Sequence, residues 1–167
     1  KDLFSRLLET GEREEDLEAR LLKVALKKLE QQPIKAFTRE KHEGKEGGGY
    51  TASYIGYTTQ LESHTVILFN RRWESLDADM ADRSWVSHSL YGLRIKKNKK
   101  VLLDVECKDS SSYSSKYLDQ ALRSLEIIYD LIHEKYEGLL EDRKSAKELN
   151  RAKRNIEVLK SSLKKLS

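Results

Sequence analysis

Residues 94–108, RIKKNKKVLLDVECK, gather the most reactive-looking groups of this 167-residue chain. Asp104, Glu106 and Lys108 recur at every second position, so in a strand they project from one face. Two carboxylates beside an amine are the raw material of metal-assisted phosphodiester cleavage. Oxygen ligands hold a divalent cation, and a neighbouring cation assists the attacking water. Immediately before them, Lys96, Lys97, Lys99 and Lys100 surround Asn98, a cluster suited to contacting phosphate.

The stretch reads as a hairpin. A three-residue loop, Lys97-Asn98-Lys99, pairs Lys96 with Lys100, Ile95 with Val101, Leu93 with Leu103 and Tyr91 with Val105. Asn98 suits the left-handed position of such loops. The opposite face then pairs Arg94 with Leu102, Gly92 with Asp104, Leu90 with Glu106 and His88 with Lys108. VECK resembles the E-x-K half of the PD-(D/E)xK nuclease pattern, in which an acid and the Glu hold the metal and the Lys assists water. That family's first Asp belongs on the preceding strand, opposite Glu106. Here the preceding strand reads LYGL, and the chain ends in helices instead of returning to a strand. A half-exposed strand alternating in and out explains the same residues without chemistry. No catalytic residue is assigned, and the chain is read as non-enzymatic.

Other ligand patterns are incomplete. His42, His64, His88 and His133 lie on different elements without His or Cys at i, i+4, and the single Cys107 excludes both a cysteine zinc site and an internal disulfide. The loop ESLDADMADRS holds Asp77, Asp79 and Asp82 but lacks the glycine and the terminal Glu of a calcium loop. EGKEGGG lacks the Lys-Ser/Thr ending and the following helix of a phosphate-binding loop. The serines at 110–112, 114 and 115 suit the capping of a helix. No metal and no cofactor is expected.

Hydrophobic periodicity sets out the helices and strands that carry these residues. Residues 13–31 place Leu17, Leu21, Val24, Ala25 and Leu29 on one helical face, with acids early, lysines late and Pro33 as the stop. Strands are expected over 34–41, 50–59, 64–73, 85–96 and 100–108, and the short links between them favour an antiparallel meander. Val66–Phe69 is apolar without alternation, which predicts a central strand with helices on at least one side. In the last third, Leu118, Leu125, Ile132 and Leu139 repeat every seven. After Gly138 a narrower seam runs through Leu149, Ala152, Ile156, Leu159, Leu163 and Leu166 at coiled-coil spacing. That seam needs a partner: the acidic 113–142 helix folding back, or the same helix of a second chain. The expected fold class is α+β, with an N-terminal helix, a five-stranded antiparallel meander and a C-terminal helical pair carrying the seam. Residues 1–140 make the α+β domain and 141–167 the basic coiled-coil helix.

Charged residues are 36% of the chain, apolar ones 38%, and the net charge is +4. The charge is uneven: 113–142 is −4 and 143–167 is +7. No apolar run is long enough to span a bilayer and no signal peptide is visible, so a soluble, cytoplasmic protein without membrane contact is expected. Low Cys, Met and Pro with abundant Lys and Glu suit a thermophile.

The β region interleaves aromatics with cations: Tyr50, Tyr54 and Tyr57, then Arg71, Arg72 and Trp73, then the lysine tip. Aromatic faces stack on unpaired bases while cations track phosphates, so such a sheet suits single-stranded DNA or RNA. The same residues would equally serve as core and solubilising tip. The layout, carried by Tyr50 to Tyr57, NRRW at 70–73 and the Leu149–Leu166 seam, resembles the archaeal ThermoDBP-type single-stranded-DNA-binding proteins across most of the chain. The resemblance implies sequence-tolerant binding of single strands in a cleft between sheet and helices, within an oligomer built through the helices. The alternative is an assembly or adaptor module, homo-oligomeric or bound to a helical partner, whose function is the seam itself.

Overall fold

A computed structural model describes residues 14–46, 50–76, 85–108 and 116–167. Helix α1 spans Glu14–Gln31, and strands β1 (Thr38–Glu46), β2 (Tyr50–Leu61), β3 (His64–Leu76), β4 (Trp85–Lys97) and β5 (Lys100–Lys108) follow. Helix α2 runs from Lys116 to Leu166. The strands form one antiparallel sheet in the order β1-β2-β3-β4-β5, a simple meander. The fold is α+β as the periodicity predicts. Helix α1 and the sheet belong to a unit reaching Leu131, and Ile132–Ser167 forms a second unit. No helix of the described residues is long and apolar enough to cross a membrane.

Pro33 shapes the first strand. Its carbonyl accepts the Ala36 amide at 2.9 Å, and that of Ile34 accepts the Phe37 amide at 3.2 Å, closing a 3₁₀ turn over Ile34–Ala36. The strand expected from residue 34 therefore begins at Thr38, with Phe37 buried at the corner. The buried stripe of α1 is also wider than its spacing suggests: Ala19, Leu21, Leu22, Ala25, Leu26 and Leu29 are buried, whereas Val24 is half-buried. A shallow groove lined by Leu26, Ala121 and Ile128 runs between α1 and α2, so α1 covers a helix as well as the sheet.

Both helices contact the same sheet face. Tyr129 packs its ring 5.7 Å from Tyr57 and 5.4 Å from Tyr91, and the Gln32 amide donates to Thr59 Oγ1 at 2.9 Å. Thr59 is buried and passes its own hydroxyl proton to the Ala36 carbonyl at 3.0 Å, so this buried hydroxyl both accepts and donates. Tyr57, Thr59 and Tyr91 lie on one side by strand alternation and register, together with the buried Val66, Leu68, Leu93, Ile95 and Leu103. We call this the helix face and its opposite the outer face.

Two tight turns close one end of the sheet. Glu62 (φ 56°) turns β2 into β3, and its carboxylate meets Lys28 at 2.7 Å. Asn98 (φ 57°) turns β4 into β5, the left-handed position for which Asn is suited. That loop has two residues, since Lys97 pairs with Lys100, and a bulge between Ile95 and Lys96 shifts the register. Beyond it Ile95 faces Leu103, Leu93 faces Val105 and Tyr91 faces Cys107. The total shift from the expected pairing is two residues, so each side chain keeps its face but gains a new neighbour. Arg94 thereby meets Asp104, with Nε to Oδ2 at 3.3 Å.

The expected C-terminal helical pair is a single helix of 51 residues. Gly138 lies within it and does not break it. A lone glycine costs a helix only about 1 kcal/mol, and neither proline nor a turn cluster accompanies it; the flanking LLEDRKSAKEL consists mostly of strong helix formers. The acidic stretch therefore does not fold back on the basic one.

Candidate nucleic-acid interface

The register sorts the aromatic and basic residues onto two faces. On the outer face, His42, Tyr54, Arg71 and Leu90 form one cross-strand row, with Glu40, Gly56, Phe69, Gly92 and Glu106 in the next. A third row holds Thr58, Ile67, Arg94 and Asp104, and at the other end lie Ala52, Trp73 and His88. Along this face the three inner strands β2, β3 and β4 contribute Arg71, Arg94 and Lys96 and no carboxylate; the acids Glu40, Asp104 and Glu106 sit on the edge strands. The middle of the face is a stripe of cations and rings.

The rings are arranged in pairs. Trp73 and His88 stack across β3 and β4, centroids 5.2 Å apart and planes 17° apart, and His88 Nε2 lies 2.6 Å from Ser75 Oγ. The Arg71 guanidinium stands 6.0 Å over the Trp73 ring. Tyr54 stacks on Phe69 at 5.6 Å, with His42 at 5.9 Å on its other side, and the Arg94 guanidinium lies 5.9 Å over Phe69. Phe69 itself is buried under these neighbours and acts as a floor. Two glycines make that floor possible. A Cβ on Gly92 would stand 2.2 Å from Phe69 Cζ, and one on Gly56 would stand 2.6 Å from the Tyr54 hydroxyl oxygen, so both rings lie flat across the backbone of a strand. Burial first, then the Glu40 carboxylate, raises the Tyr54 pKa, although Arg94 and Arg71 oppose them; its hydroxyl keeps its proton at neutral pH.

The helix face offers a different environment. A cleft of about 780 Å³ is lined by Arg72, Tyr91, Ser53 and Ser89 with Glu43, Glu74 and Glu126, and by Trp73 and His88 at its edge. Arg72 donates from Nε to Asn70 Oδ1 at 3.1 Å, and Asn70 in turn donates to Ser89 Oγ at 3.1 Å and the Leu90 carbonyl at 3.2 Å. Three carboxylates against one guanidinium make this cleft unwelcoming to phosphates. A second cleft of about 390 Å³ is lined by His42, Tyr54, Arg71, Arg72 and Trp73, with Glu43 as its one carboxylate. Glu43, Ala52, Ser53, Arg72 and Trp73 are among the residues that line both.

Of the residues the sequence singles out, Tyr54, Arg71 and Trp73 come together on the outer face. Tyr57 does not join them. It is fully buried against Tyr129, where burial of a side chain of its size is worth about 1.5–3 kcal/mol, and it has no surface to offer a base. Arg72, one residue out of phase with Arg71, points to the helix face. The side chain of Tyr50 lies outside the described residues. The lysine tip stands at the far end: Lys96 pairs with Thr65, eight residues along β3 from Trp73, or about 26 Å at ~3.3 Å per residue. Phe69, Arg94, His42 and His88 join the site without having been singled out for it. The available signal was a glycine inside each of two strands, which marks a close approach to the backbone.

The acid-amine face behaves otherwise. Glu106 faces Gly92, and Asp104 is paired with Arg94. Among the described residues, no three His, Cys, Asp or Glu side chains gather closely enough to hold a metal. The acid-rich loop at 77–82 and the serines at 110–115 lie outside the described residues. On the second unit, the seam residues Leu149, Ile156, Leu159, Leu163 and Leu166 are between 52% and 85% exposed, and Ala152 is exposed with them. No protein-family model matches this chain, and neither the curated proteins nor the solved structures provide a significant match.

Proposed function

We propose that this protein binds single-stranded nucleic acid, without sequence preference, on the outer face of its sheet. The observation that carries this is the stripe on β2, β3 and β4, where Trp73 and Tyr54 flank Arg71 and no carboxylate intervenes. Each base stacked on an aromatic side chain contributes about 1–3 kcal/mol, and every base has a face to stack, which accounts for the sequence tolerance. Arg71 supplies a cation beside the rings for the adjoining phosphate. The ThermoDBP resemblance would put the strand in a cleft between sheet and helices. Here the charges favour the outer face: Glu43 and Arg72 line both clefts, but the helix-face cleft adds Glu74 and Glu126 whereas the outer one adds Arg71. Fluorescence anisotropy with labelled oligo-dT and oligo-U tests the reading. Trp73→Ala should weaken binding by about five- to 150-fold, matching one lost stack, and Arg71→Glu should weaken it further as salt falls. Undetectable binding by the unaltered protein at low salt would refute it.

A second reading is favoured by the exposed seam. Leucines at a and d positions left in water are uncommon unless a second helix covers them. In this reading the last helix assembles the protein, and Leu159→Asp should convert an oligomer into monomers in sedimentation experiments. A monomer before and after the substitution would end it.

A further inference from the structure

The outer face continues beyond the stacking pair, and its continuation suggests how long a strand it takes. On the outer face the cations follow β3 and β4 from Trp73 toward the hairpin turn: Arg71, then Arg94 beside the Phe69 row, then Lys96; the tip beyond it carries Lys97, Lys99 and Lys100, with Lys97 and its partner Lys100 one position out of phase with Lys96. Arg71, Lys97, Lys99 and Lys100 are exposed and Lys96 is half-exposed. Lys97 and Lys100 face each other directly across the turn, an arrangement of like charges that a bound anion relieves. Arg94 is paired with Asp104, but both side chains are more than a third exposed, 36% and 43%. Such a pair is worth only ~0–1 kcal/mol, so a phosphate can take the carboxylate's place.

We propose, resting on the reading above, that one strand occupies the whole track, with bases stacked at Trp73 and Tyr54 and its far phosphates held by the lysine tip. The track is about 26 Å long, from eight residues of β3 at ~3.3 Å each. At ~3.4 Å per stacked nucleotide, that length takes about eight nucleotides. Shorter oligomers reach one end only.

The length dependence separates this proposal from a general attraction of anions. The tip lies about three Debye lengths from Trp73 at physiological salt, where one Debye length is ~8 Å, so it exerts almost no field on an oligomer held at the stacking end. The experiment compares oligo-dT of about four and about twelve nucleotides, lengths chosen to lie below and above the track. Each is bound to the full chain and to the triple variant Lys97→Gln, Lys99→Gln, Lys100→Gln. These three side chains are exposed, so the fold tolerates their neutralisation. Three lost contacts at ~0.7 released ions each should lower the salt slope for the long oligomer by about 2, and its affinity by about 100-fold at ~0.1 M salt. The short oligomer should bind the variant as it binds the unaltered protein, and Trp73→Ala should weaken both lengths.

If the triple variant weakens both lengths equally, or neither, while Trp73→Ala still weakens both, the track is wrong and the stacking site stands. If the unaltered protein binds neither oligomer, both fail together.

Discussion

Gly92→Ala is a small change with a large expected effect, because its new methyl has nowhere to go. The added Cβ would stand 2.2 Å from Phe69 Cζ, 2.6 Å from Cε2 and 2.7 Å from Cε1. Carbon atoms settle at about 3.5–4.0 Å, so the ring must retreat by about 1.5 Å. Phe69 is 3% exposed, with Tyr54 stacked on it and the Arg94 guanidinium over it, so a retreating ring disturbs both contacts. Overpacking of this kind costs about 1–3 kcal/mol. Against it stands ~0.4–1 kcal/mol gained by restricting the unfolded chain when glycine becomes alanine. The net expectation is a destabilisation of about 1–2 kcal/mol, read as a lower urea midpoint at unchanged slope. The control is the same change in a Phe69→Ala background. There the methyl enters the space the ring has left, so its penalty should vanish and the two substitutions should couple by about 1 kcal/mol or more. A Gly92→Ala protein within ~0.5 kcal/mol of the original, or one that loses as much stability with Phe69 absent, would refute the steric argument. Displacing Phe69 would also tilt Tyr54, so nucleic-acid affinity should fall along with stability.

Alkali offers an independent test of the helix face. Burial raises the Tyr129 pKa well above its usual value near 10, and burial likewise raises those of Tyr91 and Tyr54. A tyrosine whose folded pKa is raised holds its proton longer folded than unfolded. Its contribution is fully present below pH ~10 and is lost above it, at up to about 1.4 kcal/mol per pH unit for each such group. Tyr129→Phe should flatten the fall in urea-derived stability above pH ~10, and identical profiles for the two proteins would show that Tyr129 is not the group concerned. Trp73→Ala and Arg71→Glu test the stacking site, the triple lysine variant tests the length of the track, and Leu159→Asp tests whether the exposed seam is an assembly surface.

Much of the frame is local and can be read from the chain. The i, i+3, i+4 spacing from Leu17 to Leu29, Pro33 as a stop, and Asn98 at a left-handed turn position are interactions within a few residues, so they survive without knowledge of the fold. Alternation likewise assigns Asp104 and Glu106 to one face whatever their partners, because a register error of two leaves each side chain on its side. What alternation leaves open is the meaning of each face. Tyr54 and Tyr57 are the same residue type three positions apart, yet one lies on the outer face and the other is fully buried against Tyr129. That difference depends on which side the helices cover, and the packing of Tyr129 and Gln32 decides it. The separation of Trp73 from the lysine tip is also a tertiary fact. Residues 73 and 97 lie on neighbouring antiparallel strands, and only the β3–β4 register sets how far apart they end. The bulge at Ile95/Lys96, the Arg94–Asp104 pair it creates and the place of Phe69 beneath Tyr54 all arise from contacts between strands distant in sequence. Periodicity along one strand contains no term for its neighbour, so the sequence marks the strands and which side chains share a face, while tertiary packing decided which face is covered, that the last helix runs on unbroken and which side chains meet across the sheet.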